Sequence, residues 1–91
     1  MQQVFLDASI HLVELYWKRN DTGKVLKVCR HILELDPVCE PVHQMAMRAY
    51  ASRGDRAAVV RQYRACEKAT EDLFGLQPSD ETQKLYRQLI A

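Results

Sequence analysis

A chain of 91 residues with 47% apolar and 27% charged side chains has an ordinary globular composition, which excludes an intrinsically disordered segment. Its 13 basic and 12 acidic residues leave a net charge of +1, too even for a dedicated nucleic-acid surface. No apolar run approaches the ~20 residues of a membrane helix, and a chain this short makes one domain with a modest core.

Three glycines and three prolines fall where helices should start or stop, and no stretch alternates apolar and polar residues between tight turns. The prediction is an all-α fold of five helices. The first covers about 3–19, with Phe5, Ala8, Leu12, Leu15 and Tyr16 at helical spacing. Asn20-Asp21-Thr22-Gly23 ends it, and Asp21 is the expected N-cap of the next helix. That second helix carries Val25, Val28, Cys29, Ile32 and Leu33 on one face. It stops at Asp36-Pro37, where the proline ring interrupts the hydrogen-bond ladder.

The third helix starts near Pro41, a proline in the first turn costing no needed donor. Val42, Met45, Ala46, Ala49 and Tyr50 form its apolar side, and Arg53-Gly54-Asp55 makes the following turn with Asp55 as cap. The fourth is the longest, facing inward through Val59, Val60, Tyr63, Cys66, Ala69 and Leu73, and Gly75 suits a left-handed helix end. Ser79 caps the fifth, with Asp80 and Glu81 against the positive end of the helix dipole. Its inward side is Leu85, Tyr86, Leu89 and Ile90.

An internal repeat organises these helices. A constant offset of 34 residues pairs Tyr16 with Tyr50, Arg19 with Arg53, Asp21 with Asp55, Val25 with Val59, Cys29 with Tyr63 and Ile32 with Cys66. Thirty-four is the period of tetratricopeptide helix–turn–helix repeats, which these positions resemble. Leu12, Tyr16, Val25, Cys29 and Pro37 occupy core positions of the first copy, and Ala46, Tyr50, Val59 and Tyr63 those of the second. Ser9 and His43 replace the consensus tryptophan, and Val13 and Met47 the small glycine position. One hairpin cannot bury its apolar face alone, so a right-handed superhelix of two stacked hairpins with a C-terminal capping helix is expected. The repeats would span about 6–39 and 40–73, and the cap about 79–91 of a single domain.

From the second helix onward an ordered series adds to this: Leu35-Asp36-Pro37, Glu40, His43, Tyr50, Gly54-Asp55 and Tyr63-Arg64-Ala65-Cys66. It continues through Gly75, Pro78-Ser79, Glu81-Thr82 and Leu85-Tyr86. The series resembles the bacterial transcriptional activation domain (BTAD) of SARP-type regulators. That resemblance implies a tetratricopeptide-like regulatory domain that follows a winged helix–turn–helix and supports dimerisation and transcription activation. Leu73-Phe74 stands before Gly75 where the family usually carries an acidic residue and leucine, an apolar change expected to lie beneath the last helix.

Other chemistry finds little support. Cys29, His31, Cys39 and His43 lack the close Cys–Cys and His–His pairs of structural zinc sites, and Cys29 and His31 point to different sides of one helix. Glu40 and His43 share a helix face and are expected to fix the Asp36-Pro37 corner, since no nucleophile motif accompanies them. No glycine-rich phosphate loop occurs, so neither enzyme activity nor a cofactor is expected. Arg56, Arg61, Arg64 and Lys68 interleave with Glu67, Glu71 and Asp72, as on a solvated face with ion pairs. Three cysteines cannot all pair, and the N-terminus lacks signal-peptide order, so a reducing cytoplasm is the expected compartment.

The expected function is therefore a protein–protein regulatory domain of a bacterial transcriptional regulator, contacting a second copy, an upstream DNA-binding domain or the transcription machinery. Phe5, Val13 and Trp17, with Glu14 and Arg48, are the candidate interface. Trp17 has a packing alternative, against the second helix. His11, Glu14, Lys18, Gln44 and Arg48 would line a concave face, without the Lys/Asn/Arg set that clamps a peptide carboxylate. A free-standing adaptor that binds a peptide segment is the alternative function, and direct contact with nucleic acid is the weakest.

Overall fold

Each helix boundary in the computed structural model has an identifiable chemical cause. The structure describes residues 2–91, with side chains from Ile10 onward, so the expectations for Phe5, Ala8 and Ser9 lie outside the described side chains. The helices are α1 (Gln2–Lys18), α2 (Thr22–Leu35), α3 (Glu40–Ser52), α4 (Arg56–Phe74) and α5 (Asp80–Ile90). No strand occurs among the described residues, and the all-α class stands.

Asp21 caps α2 by accepting from the Lys24 backbone N–H at 3.2 Å, and Asp55 caps α4 by accepting from Ala58 at 3.0 Å. Ser79 caps α5 through the Thr82 N–H at 3.4 Å. Gly75 closes α4 at φ 64°, the left-handed region in which a side chain is strained. Pro41 sits in the first turn of α3, whose cap residue Cys39 makes no side-chain bond.

The 34-residue offset survives in three dimensions. Asp21 N donates to Tyr16 O at 3.0 Å, and Asp55 N donates to Tyr50 O at the same distance. Asn20 and Gly54, one residue before each cap, both have positive φ, at 58° and 71°. Val25 and Val59 are fully buried, as are Val13 and Met47, while Tyr16 and Tyr50 are both half-buried. The two hairpins thus turn by the same backbone device and bury the same register of side chains.

The molecule is a slab of 36 × 34 × 18 Å, about two helix diameters thick. Packing is sequential: α2 lies against α1 and α3, while α3 and α4 pack on each other and both pack on α5. Two apolar clusters result. Val13, Val25, Leu26, Cys29, Ile32, Val42, Ala46 and Ala49 join the first hairpin to α3. Met47, Val59 and Tyr63 join α3 and α4 to Leu85, Tyr86, Leu89 and Ile90 of α5. The capping helix therefore covers the second hairpin as α3 covers the first.

Four expectations need correction. Val13, expected at an interface, is fully buried in the first cluster. It packs with Val25, Leu26, Cys29 and Ile32 of α2 and with Val42, Ala46 and Ala49 of α3 in that cluster. Leu12 and Leu15, expected inward, are exposed. The α1 helix packs extensively on α2 alone, so an apolar stripe wider than one neighbour remains partly uncovered. Leu73 is also exposed, because the 19-residue α4 overhangs the 11-residue α5 at that end.

Candidate protein-interaction site

The corner after α2 gathers the polar side chains that a catalytic reading would need, and their bonding is structural. His43 is 3% exposed. One neutral tautomer satisfies the ring: Nε2–H donates to the Pro37 carbonyl at 2.7 Å, and Nδ1 accepts from Gln62 Nε2 at 2.7 Å. Burial lowers its pKa, against the opposing influence of the Pro37 bond and of Glu40 and Asp36. His43 thus ties the Asp36-Pro37 corner to α4, the corner-fixing part expected of it.

Glu40 makes no direct hydrogen bond to His43 among the described residues. Its Oε1 accepts from Ser79 N at 3.0 Å, Ser79 Oγ at 2.9 Å and Thr82 Oγ1 at 2.5 Å. Thr82, fully buried, also accepts from Gln44 Nε2 at 2.8 Å. Burial pushes the Glu40 carboxyl up, but the bonds from Thr82 and Ser79 outweigh it and hold the group below its ordinary range. Gln44, expected on a concave binding face, is instead consumed in this joint between α3 and α5. Sequence reasoning missed the joint; the only local signal was a threonine three residues after the Ser79 cap.

All three thiols are free. Burial, with a contribution from Cys39, pushes Cys29 up to about 12. Burial likewise takes Cys66 to about 11, and it raises Cys39 against the Val42 backbone bond. Thiols held in this form are poor nucleophiles at neutral pH. Cys29 is buried and His31 exposed, and among the described residues no group of three or more His, Cys, Asp or Glu side chains converges as a metal site would need.

The surface is more informative. Leu12, Leu15 and Trp17 of α1 are 40%, 44% and 36% exposed. Leu12 and Leu15 lie on one flank of buried Val13, and Trp17 one turn along on the other. Trp17 therefore stays partly in solvent. Glu14 is exposed beside these residues, whereas Arg48 is exposed on α3, with no hydrogen bond or ion pair to Glu14 among the described residues.

Between α1 and α2 runs an open groove of about 580 Å³. Tyr16 and Val28 form its floor and back onto the first cluster. Lys24, Lys27 and Arg30 stand along its α2 side, with Glu34 at the end. The basic residues of α4 are differently placed. Arg64 pairs with Glu67 at 2.7 Å and Lys68 with Asp72 at 3.2 Å, as a solvated face should. Arg56 donates to the Ile90 and Ala91 carbonyl oxygens at 2.6 and 2.7 Å. A second apolar patch lies at the end of α4, where Leu73, Phe74 and Leu76 are 61%, 61% and 63% exposed.

The sequence profile of the bacterial transcriptional activator domain matches residues 1–90. The chain belongs to this family. No curated protein and no solved structure matches it significantly. Membership covers α1 as well as the later helices that carried the motif series, so the exposed face of α1 is part of the bacterial transcriptional activator domain. This is a transcription-regulator family rather than an enzyme family. Every buried side-chain N and O atom among the described residues has a hydrogen-bond partner. Among the described residues no helix is long and apolar enough to cross a membrane.

Proposed function

We propose that the chain is the protein-interaction and regulatory unit of a bacterial transcriptional activator, acting in the cytoplasm without direct DNA contact. It docks through the exposed apolar side chains on the two flanks of α1 onto a second copy or onto a DNA-binding domain of the same regulator. The observation that carries this reading is the exposure of Leu12, Leu15 and Trp17 on a helix with one major neighbour. A tryptophan left in solvent is a frequent interface anchor, because it buries much area for few rotors, and the leucines add apolar surface beside a packed seam.

Sedimentation at several concentrations tests the self-contact. The expected result is concentration-dependent association that Trp17→Ala and Leu15→Ala weaken. For contact with a DNA-binding domain, the same substitutions in the whole regulator should lower transcription activation without unfolding the domain. A regulator indifferent to both would remove the proposal. The second reading, a free-standing tetratricopeptide adaptor for a peptide segment, is favoured by one observation, the open groove between α1 and α2. A winged-helix segment encoded upstream supports the first reading, and a stop codon supports the second.

A further inference from the structure

We propose that the α1–α2 groove of one copy receives the acidic, apolar end of α4 from a second copy, and that two such contacts close a two-fold dimer. The inference rests on the self-contact proposed above and places it on the groove flank of α1, where Leu12 lies, rather than at Trp17.

The groove supplies a basic rim over an apolar floor. Tyr16 and Val28 are half-buried against the core, and Leu12 projects into the opening. Lys24, Lys27 and Arg30 recur every three residues, so they stand on successive turns of α2 along the groove. Lys24 is partly engaged, 3.8 Å from Asp21 and 5.4 Å from the centre of the Tyr16 ring. Lys27 and Arg30 form no ion pair among the described residues. Against three cations the groove holds one acid, Glu34.

The end of α4 is its complement. Glu71-Asp72-Leu73-Phe74-Gly75-Leu76 places two exposed carboxylates directly before three exposed apolar side chains. Asp72 is shared with Lys68 at 3.2 Å, an exposed pair of little strength that a desolvated partner can displace. This segment does not reach its own groove, since α4 packs on α3 and α5 while the groove lies between α1 and α2. Apolar anchors flanked by acids meet an apolar floor flanked by bases, the match that fixes register and suppresses other pairings. Each copy carries both halves, and the proposed two-fold axis makes both contacts at once, which closes the assembly at two copies. The same contact without that axis would extend into a filament, which sedimentation distinguishes. A nucleic-acid backbone would use the cations but gain nothing from Leu12, Tyr16 and Val28.

Charge exchange tests the pairing in the full chain. Lys27→Glu with Arg30→Glu, and separately Glu71→Lys with Asp72→Lys, all change exposed residues, and circular dichroism should show unchanged helix content. By sedimentation, each double variant should self-associate at least about tenfold more weakly than the parent. An equimolar mixture should recover the parent's affinity, because the reversed groove then faces the reversed α4 end. A labelled peptide of residues 67–77 should bind the parent and lose binding to the groove variant. Equal self-association of parent and double variants, or a mixture no tighter than its components, would overturn the inference. So would a chain that stays monomeric, or a groove variant that loses only duplex-DNA binding. Self-association that survives all four charge reversals but is lost with Trp17→Ala would sink this pairing and leave the α1 reading standing.

Discussion

The two hairpins share a template and differ in what covers them. In α3–α4, Met47, Val59 and Tyr63 are sealed by α5, and the Tyr63 ring lies 3.9 Å from that of Tyr86 at an interplanar angle of 4°. In α1–α2 the equivalent positions hold Val13, Val25 and Cys29, sealed by α3. Every hairpin is thus closed by the helix that follows it. Among the described residues α1 has α2 as its one major neighbour, whereas α5 covers the other end of the stack. A repeat array needs a polar outer face at each end to remain alone. Here α1 leaves Leu12, Leu15 and Trp17 exposed, the feature on which the proposed interaction rests.

The largest effect that sharpens this contrast lies at the aromatic seal. Tyr63→Ala removes a buried ring stacked on α5 and should cost roughly 3–5 kcal/mol, by analogy with large-to-small aromatic changes. Its counterpart Cys29→Ala removes one sulfur and should cost about 1 kcal/mol. Trp17→Ala on the open side should stay within about 1 kcal/mol in the monomer. Urea denaturation ranks the three. A Trp17→Ala cost as large as that of Tyr63→Ala would mean that α1's outer side is not open.

The Glu40 joint comes next, and the first hairpin shows no counterpart among the described residues. Thr82→Val keeps the shape but takes one donor from Glu40 and leaves Gln44 without its acceptor, for an expected loss of about 1–3 kcal/mol. The pH dependence follows from the same corner. The His43 pKa is depressed on folding, so its contribution is complete above the unfolded value near 6.5 and is lost as pH falls through the folded value. Glu40 is depressed too: its contribution is complete above the unfolded value near 4.5 and is lost as pH falls through the folded one. Urea midpoints should therefore decline in two stages on acidification, and Thr82→Val should flatten the lower one. A midpoint that rises between pH 7 and pH 5 would contradict the His43 part.

Much of this fold was legible in the sequence because local chemistry dictates it. Asp21, Asp55, Ser79 and Gly75 act where their side chains or their freedom at positive φ require, and the offset that pairs Val25 with Val59 marks real structural equivalence. What sequence could not give was the angular width of the covered stripe. Whether Leu12 or Val13 faces the core depends on where α2 and α3 lie around α1, and helical spacing alone permits either. The same holds for Leu73, whose exposure follows from unequal helix lengths rather than from its own character. The Glu40–Ser79–Thr82 joint was illegible for a different reason: it spans about 40 residues and becomes visible only once α5 is docked.

The smallest effect concerns the turns, and it isolates backbone from packing. Asn20 and Gly54 hold equivalent left-handed positions, and a Cβ built at Gly54 would meet nothing within 4 Å. Any cost of Gly54→Ala is therefore conformational, roughly 1 kcal/mol, because L side chains crowd the following carbonyl at positive φ. Asparagine tolerates that region better than most residues, so Gly54→Asn should cost only a few tenths of a kcal/mol, about what Asn20→Gly changes in either direction. Denaturation of the three variants would show whether both turns obey one rule. If Gly54→Ala proved neutral while Asn20→Ala was costly, the hairpins would differ in their turns as well as in their cover, and the shared template would fail at its most local element.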